Sequence, residues 1–174
     1  MSWLKLLVVV LVLGVTATVA PAQARPPVDI SGWKTFRDDA MGFEVKHPPG
    51  WNVARSTGTL EGILLGKPRQ AGEEQVSLQF FVQRDLNPNG LTIEQWYADQ
   101  LRKIRTLPSR TTDTVIGGRP TIRMENTNTM GRHFMFFTAL DKSDIFTISI
   151  IQPSPREQLD RTYDAILSTV RFLP

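Results

Sequence analysis

The chain contains no cysteine. Disulfide staples, thiolate metal sites and lipid attachment through a cleavage-site cysteine are therefore excluded by composition, and stability must come from an ordinary hydrophobic core. Histidine is nearly absent too. His47 and His133 are the two present, and no spacing of His, Asp and Glu supplies the three or four ligands that zinc takes. No metal and no cofactor is expected. Long apolar runs are equally scarce: the one present extends from Leu6 to Ala20, short of the ~20 residues that a spanning helix needs. Strong charge of one sign is also missing. The formal net charge is +3, without the concentrated basic field of a nucleic-acid binder, so the expectation is no nucleic acid and at most a weak contact with an anionic membrane surface.

Catalytic motifs are missing as well. No Gly-x-Ser-x-Gly elbow occurs, and Ser31, Ser56 and Ser109 stand in no motif context. Gly117-Gly118 has neither the downstream Lys-Ser/Thr nor the following helix of a phosphate-binding loop. No catalytic residue is assigned, and the chain is read as non-enzymatic.

What is present begins with an address. Lys5 precedes the apolar run, which ends at Pro21-Ala22-Gln23-Ala24. Small residues at Ala22 and Ala24 suit a signal peptidase, so cleavage after Ala24 is expected. Residues 1–24 read as a signal peptide, 25–32 as a flexible leader containing Pro26 and Pro27, and 33–174 as one folded domain. The processed chain of roughly 150 residues is long enough to bury a real core. It is expected to be exported, periplasmic or secreted, and not lipid-anchored.

The domain alternates strand and turn signals. Trp33–Arg37 and Phe43–His47 read as strands separated by a turn, and Pro48-Pro49-Gly50 stops the second before Trp51, which is expected to cover the end of the core. Leu60–Gly66 and Val76–Arg84 follow. In the latter, Val76, Leu78, Phe80 and Val82 share one face, while Phe81 interrupts the polar face, so that face is expected to be partly covered. A helix is predicted from Thr92, where Gln95 completes a capping box and Ile93, Trp96, Tyr97, Leu101 and Ile104 form an apolar stripe. Two strands around Gly117-Gly118 make a hairpin, 110–116 and 119–126. His133–Leu140 and the apolar Ile145–Ile151 are the last predicted strands, the second buried from both sides. A closing helix starts at Ser154-Pro155-Arg156-Glu157 and carries Leu159, Tyr163, Ile166, Leu167 and Val170 towards the C-terminus. This order predicts an α+β fold, a mainly antiparallel sheet with helices packed against it.

Three stretches carry a family resemblance. Gly42-Phe43-Glu44-Val45-Lys46-His47-Pro48-Pro49-Gly50-Trp51, Ile116-Gly117-Gly118-Arg119-Pro120, and the ending Ser168-Thr169-Val170-Arg171-Phe172 resemble bacterial exported proteins of the Mog1/PsbP-like fold. The resemblance spans most of 33–173 and implies an α/β/α sandwich around an antiparallel sheet. Known members include an extrinsic photosystem II subunit in plants and a yeast binder of a small nuclear GTPase. Their common theme is docking without catalysis. A shared fold is an associational warrant for function.

Candidate binding residues are few. Arg102, Lys103, Arg105 and Arg110 form a basic group that reads first as a solvated helix face and second as a docking patch. Trp51, at a loop edge, is the aromatic open to ligand stacking; Trp96 and Tyr97 are assigned to the core, and His47 to a surface or capping role. The leading expectation is an exported accessory domain that binds a protein or envelope component. The alternative is a carrier of a small apolar molecule or lipid in a cleft between the sheet and a helix, and behind both stands a hydrolase with an unrecognised site. Intact mass and N-terminal sequencing of the protein recovered from the cell envelope or medium should give Arg25 as the first residue. An unprocessed Met1 would overturn the signal-peptide assignment.

Overall fold

The apolar run Ile145–Gln152 forms a strand in which Ile145 through Ile150 are all buried, whichever way their side chains point. Such burial requires a sheet covered on both faces, and the rest of the chain supplies it. In the computed structural model the described residues are 27–57, 61–68, 71, 76–83, 86–103, 108, 110–128, 131–152 and 157–174. The expected signal peptide therefore lies outside the described residues. The elements are β1 (Lys34–Asp38), β2 (Phe43–His47), β3 (Asn52–Thr57), β4 (Glu61–Lys67), β5 (Val76–Gln83), α1 (Ile93–Lys103), β6 (Arg110–Ile116), β7 (Arg119–Asn128), β8 (Gly131–Ala139), β9 (Ile145–Gln152), α2 (Glu157–Ser168) and β10 (Arg171–Phe172).

Seven strands form the main sheet in the order β3-β4-β5-β9-β8-β7-β6, and β1-β2-β10 form a second, three-stranded sheet. Every neighbouring pair is antiparallel. Register sorts the main sheet's side chains into rows. Ile63 faces Phe80, Phe80 faces Ile148, and Ile148 faces Phe136. That row and its neighbours pack with Phe43 and Val45 of β2 and with Tyr163, Ile166 and Leu167 of α2. The intervening residues point the other way, as period-two alternation demands. Ile122, Met124, Phe137 and Ile145 there meet Ile93, Trp96 and Tyr97 of α1. One helix thus lies over each face of the sheet, and α2 shares its side with the small sheet.

Aromatic contacts bind the layers. The Phe146 ring is 5.0 Å from Phe43, 5.1 Å from Phe172 and 6.4 Å from Phe80. Polar links support the joins. Asp38, at the end of β1, accepts the Met41 N–H at 2.9 Å and an Arg55 N–H from β3 at 2.5 Å.

The predicted capping box of the first helix and the Gly117-Gly118 turn are present, whereas the predicted helix start at Ser154-Pro155-Arg156 lies outside the described residues. Thr92 Oγ1 accepts the Gln95 N–H at 3.3 Å, and Gln95 Oε1 accepts the Thr92 N–H at 3.1 Å. Gly117 and Gly118 adopt φ of 56° and 78°, the positive values a two-residue hairpin turn needs. At Gly117 a Cβ would also stand 2.8 Å from the Phe172 ring.

Four features depart from the sequence expectation. The strand β3 was not predicted, because its exposed Asn52, Ala54, Arg55 and Ser56 hide the alternation. The closing helix ends at Ser168, and Arg171 and Phe172 pair instead with Glu44 and Phe43 of β2. There Thr169 Oγ1 accepts the Lys46 N–H at 2.9 Å and the Leu173 N–H donates to Gly42 O at 2.8 Å, contacts that a continued helix could not make. His47 is buried, with 5% exposure, and its Nδ1 lies 3.1 Å from Pro48 O; the surface role is corrected, because β2 is sandwiched between the small sheet's outer strands and the core. The flanked sandwich expected from sequence is more sheet-dominated than that term suggests, with ten strands and two helices among the described residues.

Phe146→Ala should lower stability by about 3–5 kcal/mol, whereas Val115→Ala, at an exposed site, should change it by less than about 0.5 kcal/mol. Equilibrium denaturation of both variants checks the contrast.

Candidate functional site

Polar residues at inward-facing strand positions mark the site. Alternation along β7, β8 and β9 sets Arg123, Glu125, Arg132 and Gln152 on the α2 face, in rows otherwise filled by Phe134, Phe136 and Ile150. Charged residues there must find partners, since burying a lone charge is costly. Arg132 donates from Nε and Nη2 to Glu125 Oε1 at 3.1 and 2.8 Å. Arg123 Nη2 lies 4.0 Å from Glu125 Oε2. Both guanidinium centres stand 4.8 Å from the Phe134 ring centre, and Arg123 also lies 5.9 Å from that of Phe136. Stacking of this kind holds a guanidinium in place while leaving N–H groups at its edge.

Across a groove of about 190 Å³, α2 answers with Asp160, Tyr163 and Asp164. Gln152, on the floor, donates from its amide nitrogen to Asp160 Oδ1. Its own Oε1 is buried with no hydrogen-bond partner among the described residues. Burial pushes the Asp164 carboxyl above the ordinary aspartate value; Asp160 adds to that shift and Arg123 opposes it. Burial, with a contribution from Asp160, likewise raises the Tyr163 phenol.

A second groove of about 280 Å³ adjoins the first along Arg123, Phe136, Asp164 and Leu167, and is bounded on its far side by Thr112, Thr114 and Ile116 of β6. Since β6 pairs only with β7, its outer backbone edge has no neighbouring strand among the described residues. Val115 on this strand is 67% exposed.

On the opposite face, His133 Nε2 and Ser149 Oγ are 2.8 Å apart. This is the one serine–histidine contact among the described residues that resembles a nucleophile and its base. Ser149 is only 5% exposed in the middle of β9, where the strands' N–H groups are engaged in the ladder and offer no oxyanion site. Burial lowers the His133 pKa, so the imidazole is neutral at pH 7. The pair reads as a structural hydrogen bond. Among the described residues no group of three or more His, Asp and Glu is placed to hold a metal ion.

The residues singled out from sequence are dispersed. Arg102 and Lys103 are exposed at the end of α1, where both pair with Asp99, at 2.9 and 2.5 Å. Arg105 lies outside the described residues. Arg110 opens β6, and its cross-strand partner is Glu125 on the α2 face. The described cations therefore do not form one patch. Trp51 is half-buried, its ring edge-on to Tyr163 at 6.4 Å, so much of its surface is already engaged by the core. Sequence reading missed Arg123, Arg132, Gln152, Asp160 and Asp164. Its available signal was the placement of Arg123 and Glu125 at alternate positions of a strand also carrying Ile122 and Met124.

No family model matches the chain, and no curated protein matches it in sequence. Its structure is similar to the solution structure of cyanobacterial PsbP from Synechocystis sp. PCC 6803. The match covers 88% of this chain and 99% of that chain, at 14% identity and a TM-score of 0.53. The chain thus has a PsbP-like fold. No helix among the described residues is long and apolar enough to cross a membrane.

The electrostatics of the site give a pH test. Because the folded Asp164 carboxyl binds its proton more tightly than the unfolded one, its contribution to stability falls as pH rises from the ordinary aspartate range through its raised value. Asp99 and Asp141 are shifted the other way, by the side chains of Lys103 and Arg102 and by the backbone N–H groups of Ser143 and Asp144 respectively, and so lose stabilisation as pH falls. Carboxyl NMR titration should therefore place Asp164 above ordinary aspartate and Asp99 and Asp141 below it, and Asp164→Asn should flatten the loss of stability with rising pH.

Proposed function

We propose that this chain is an exported, non-enzymatic accessory domain that binds a protein partner through the open edge of β6. The observation that carries the reading is that edge: a strand of seven residues, Arg110–Ile116, with Val115 exposed and a groove alongside it. In layer terms the fold is an α/β/α sandwich in which α2 shares its outer layer with the small sheet. A sandwich covers the faces of its sheet and leaves the edges to be managed separately. Long uncovered edges are templates for strand pairing, and natural proteins usually blunt them. An extended segment of a partner would continue the sheet through backbone hydrogen bonds, while its alternate side chains entered the groove beside Thr112 and Thr114.

Export supports this reading from the sequence side, since the expected cleavage after Ala24 releases a domain with no lipid anchor to localise it. Retention would then fall to partners. The PsbP-like fold adds the associational point that its known members dock. Arg102, Lys103, Arg105 and Arg110 would supply an ancillary attraction to acidic surfaces, kept weak because Arg102 and Lys103 already share Asp99. Trp51, next to β3 at the opposite edge of the main sheet, lies away from such a contact. An apolar cargo suits the chain less well, because arginine and carboxylate groups line the cleft between the sheet and α2.

Photo-crosslinking residues placed at Asp113 and Val115 in the exported protein should trap one discrete partner, and Glu94 on α1 should not. Val115→Arg should abolish the adduct at Asp113. Replacement of Arg102, Lys103 and Arg105 by glutamine should leave that adduct in place and loosen envelope association at low salt. Adducts from Glu94 with none from β6 would refute docking at this edge.

A further inference from the structure

The groove between α2 and the sheet is lined by both acceptors and cationic donors. Gln152 is 2% exposed, and its amide nitrogen faces Asp160, since a carboxylate can only accept. That contact commits Oε1 to the acceptor role, and Oε1 has no donor among the described residues. Buried side-chain oxygens in folded chains are nearly always hydrogen-bonded. Beside it stand the Asp160 and Asp164 carboxyls, a helical turn apart on α2. Arg132, directly cross-strand from Gln152, and Arg123 line the same groove, their guanidiniums held over Phe134.

Each simpler ligand class fails on one of these groups. An anion satisfies the arginines but meets Asp160, Asp164 and Glu125. A cation satisfies the acceptors but meets two guanidiniums. An apolar molecule leaves the Gln152 oxygen without a donor. We infer that the groove binds a small zwitterion, a free α-amino acid being the simplest, with its ammonium at Gln152 Oε1 and Asp160 and its carboxylate on Arg123 and Arg132. The planar guanidinium matches a carboxylate through paired N–H donors. Phe136 and Leu167 offer an apolar wall to a short side chain. A volume of about 190 Å³ is below the ~300 Å³ at which pockets for drug-sized ligands begin, so the ligand is small. The site adjoins the β6 groove, with which it shares Arg123, Phe136, Asp164 and Leu167, but it needs no protein partner.

The test is an NMR titration of the processed, isotope-labelled protein with L-alanine, using acetate, ethylammonium and propane-1,2-diol as probes of each function alone. L-Alanine should give saturable shifts centred on the Gln152 side-chain amide and on residues 160–164, with affinity at least about tenfold above any of the three probes. Arg123→Gln should weaken L-alanine about tenfold or more while keeping a dispersed, native spectrum. Gln152→Leu should do the same; if that variant does not fold, Arg123→Gln carries the test. Val115→Arg should leave the titration unchanged, which separates this site from partner docking. No saturable shift with L-alanine up to about 50 mM, or equal response to a single-function probe, would overturn the proposal.

Discussion

Burial of β9 from both sides is the constraint on which the rest of this structure depends. Its residues from Ile145 to Ile150 are withdrawn from solvent irrespective of face, so the sheet needs two covers. The two helices among the described residues are too few to supply two full helical layers. One side receives α1 alone, through Trp96 and Tyr97 against Phe137. The other receives α2 together with β1, β2 and β10, joined to the sheet through Phe43 and Phe172 around Phe146. The absence of cysteine makes this apolar closure the principal source of cohesion.

Unequal cover has consequences for the polar residues. Opposite α2, on strands β7 and β8, the apolar rows give way to Arg123, Glu125 and Arg132. These remain tolerable because they pair with one another and lie over aromatic rings. The same gap in the cover leaves the groove, the unmet oxygen of Gln152 and the raised Asp164. A site of this type arises from incomplete layering, with recognition groups drawn from strands whose neighbours belong to the core.

Much of the fold was legible in the residues. Val76–Gln83 declares itself by periodicity, Ile145–Gln152 by a run apolar on both faces, the Thr92/Gln95 capping box by its spacing, and Gly117-Gly118 by the need for positive φ. Strand β3 was not legible, because a mostly exposed strand carries little apolar alternation. Nor was β10: Arg171 and Phe172 continue a helical stripe on paper, and only the nearby β2 edge and the Phe146 ring give them a better alternative. The candidate site was barely legible, and Arg110 illustrates why. It stands eight positions after Arg102 in sequence, yet it opens a strand facing Glu125, while Arg102 lies in the last turn of α1 and pairs with Asp99.

By itself, the sequence determined what local chemistry dictates: most strand and helix positions, the exclusion of disulfides, and the small net charge. The tertiary structure alone decided which charged side chains share a face, because that depends on cross-strand register and on which helix covers which side. Arg123, Arg132 and Gln152 come from three strands and meet Asp160 and Asp164 from a helix further along the chain. No local pattern encodes such a meeting; pairing between distant segments does.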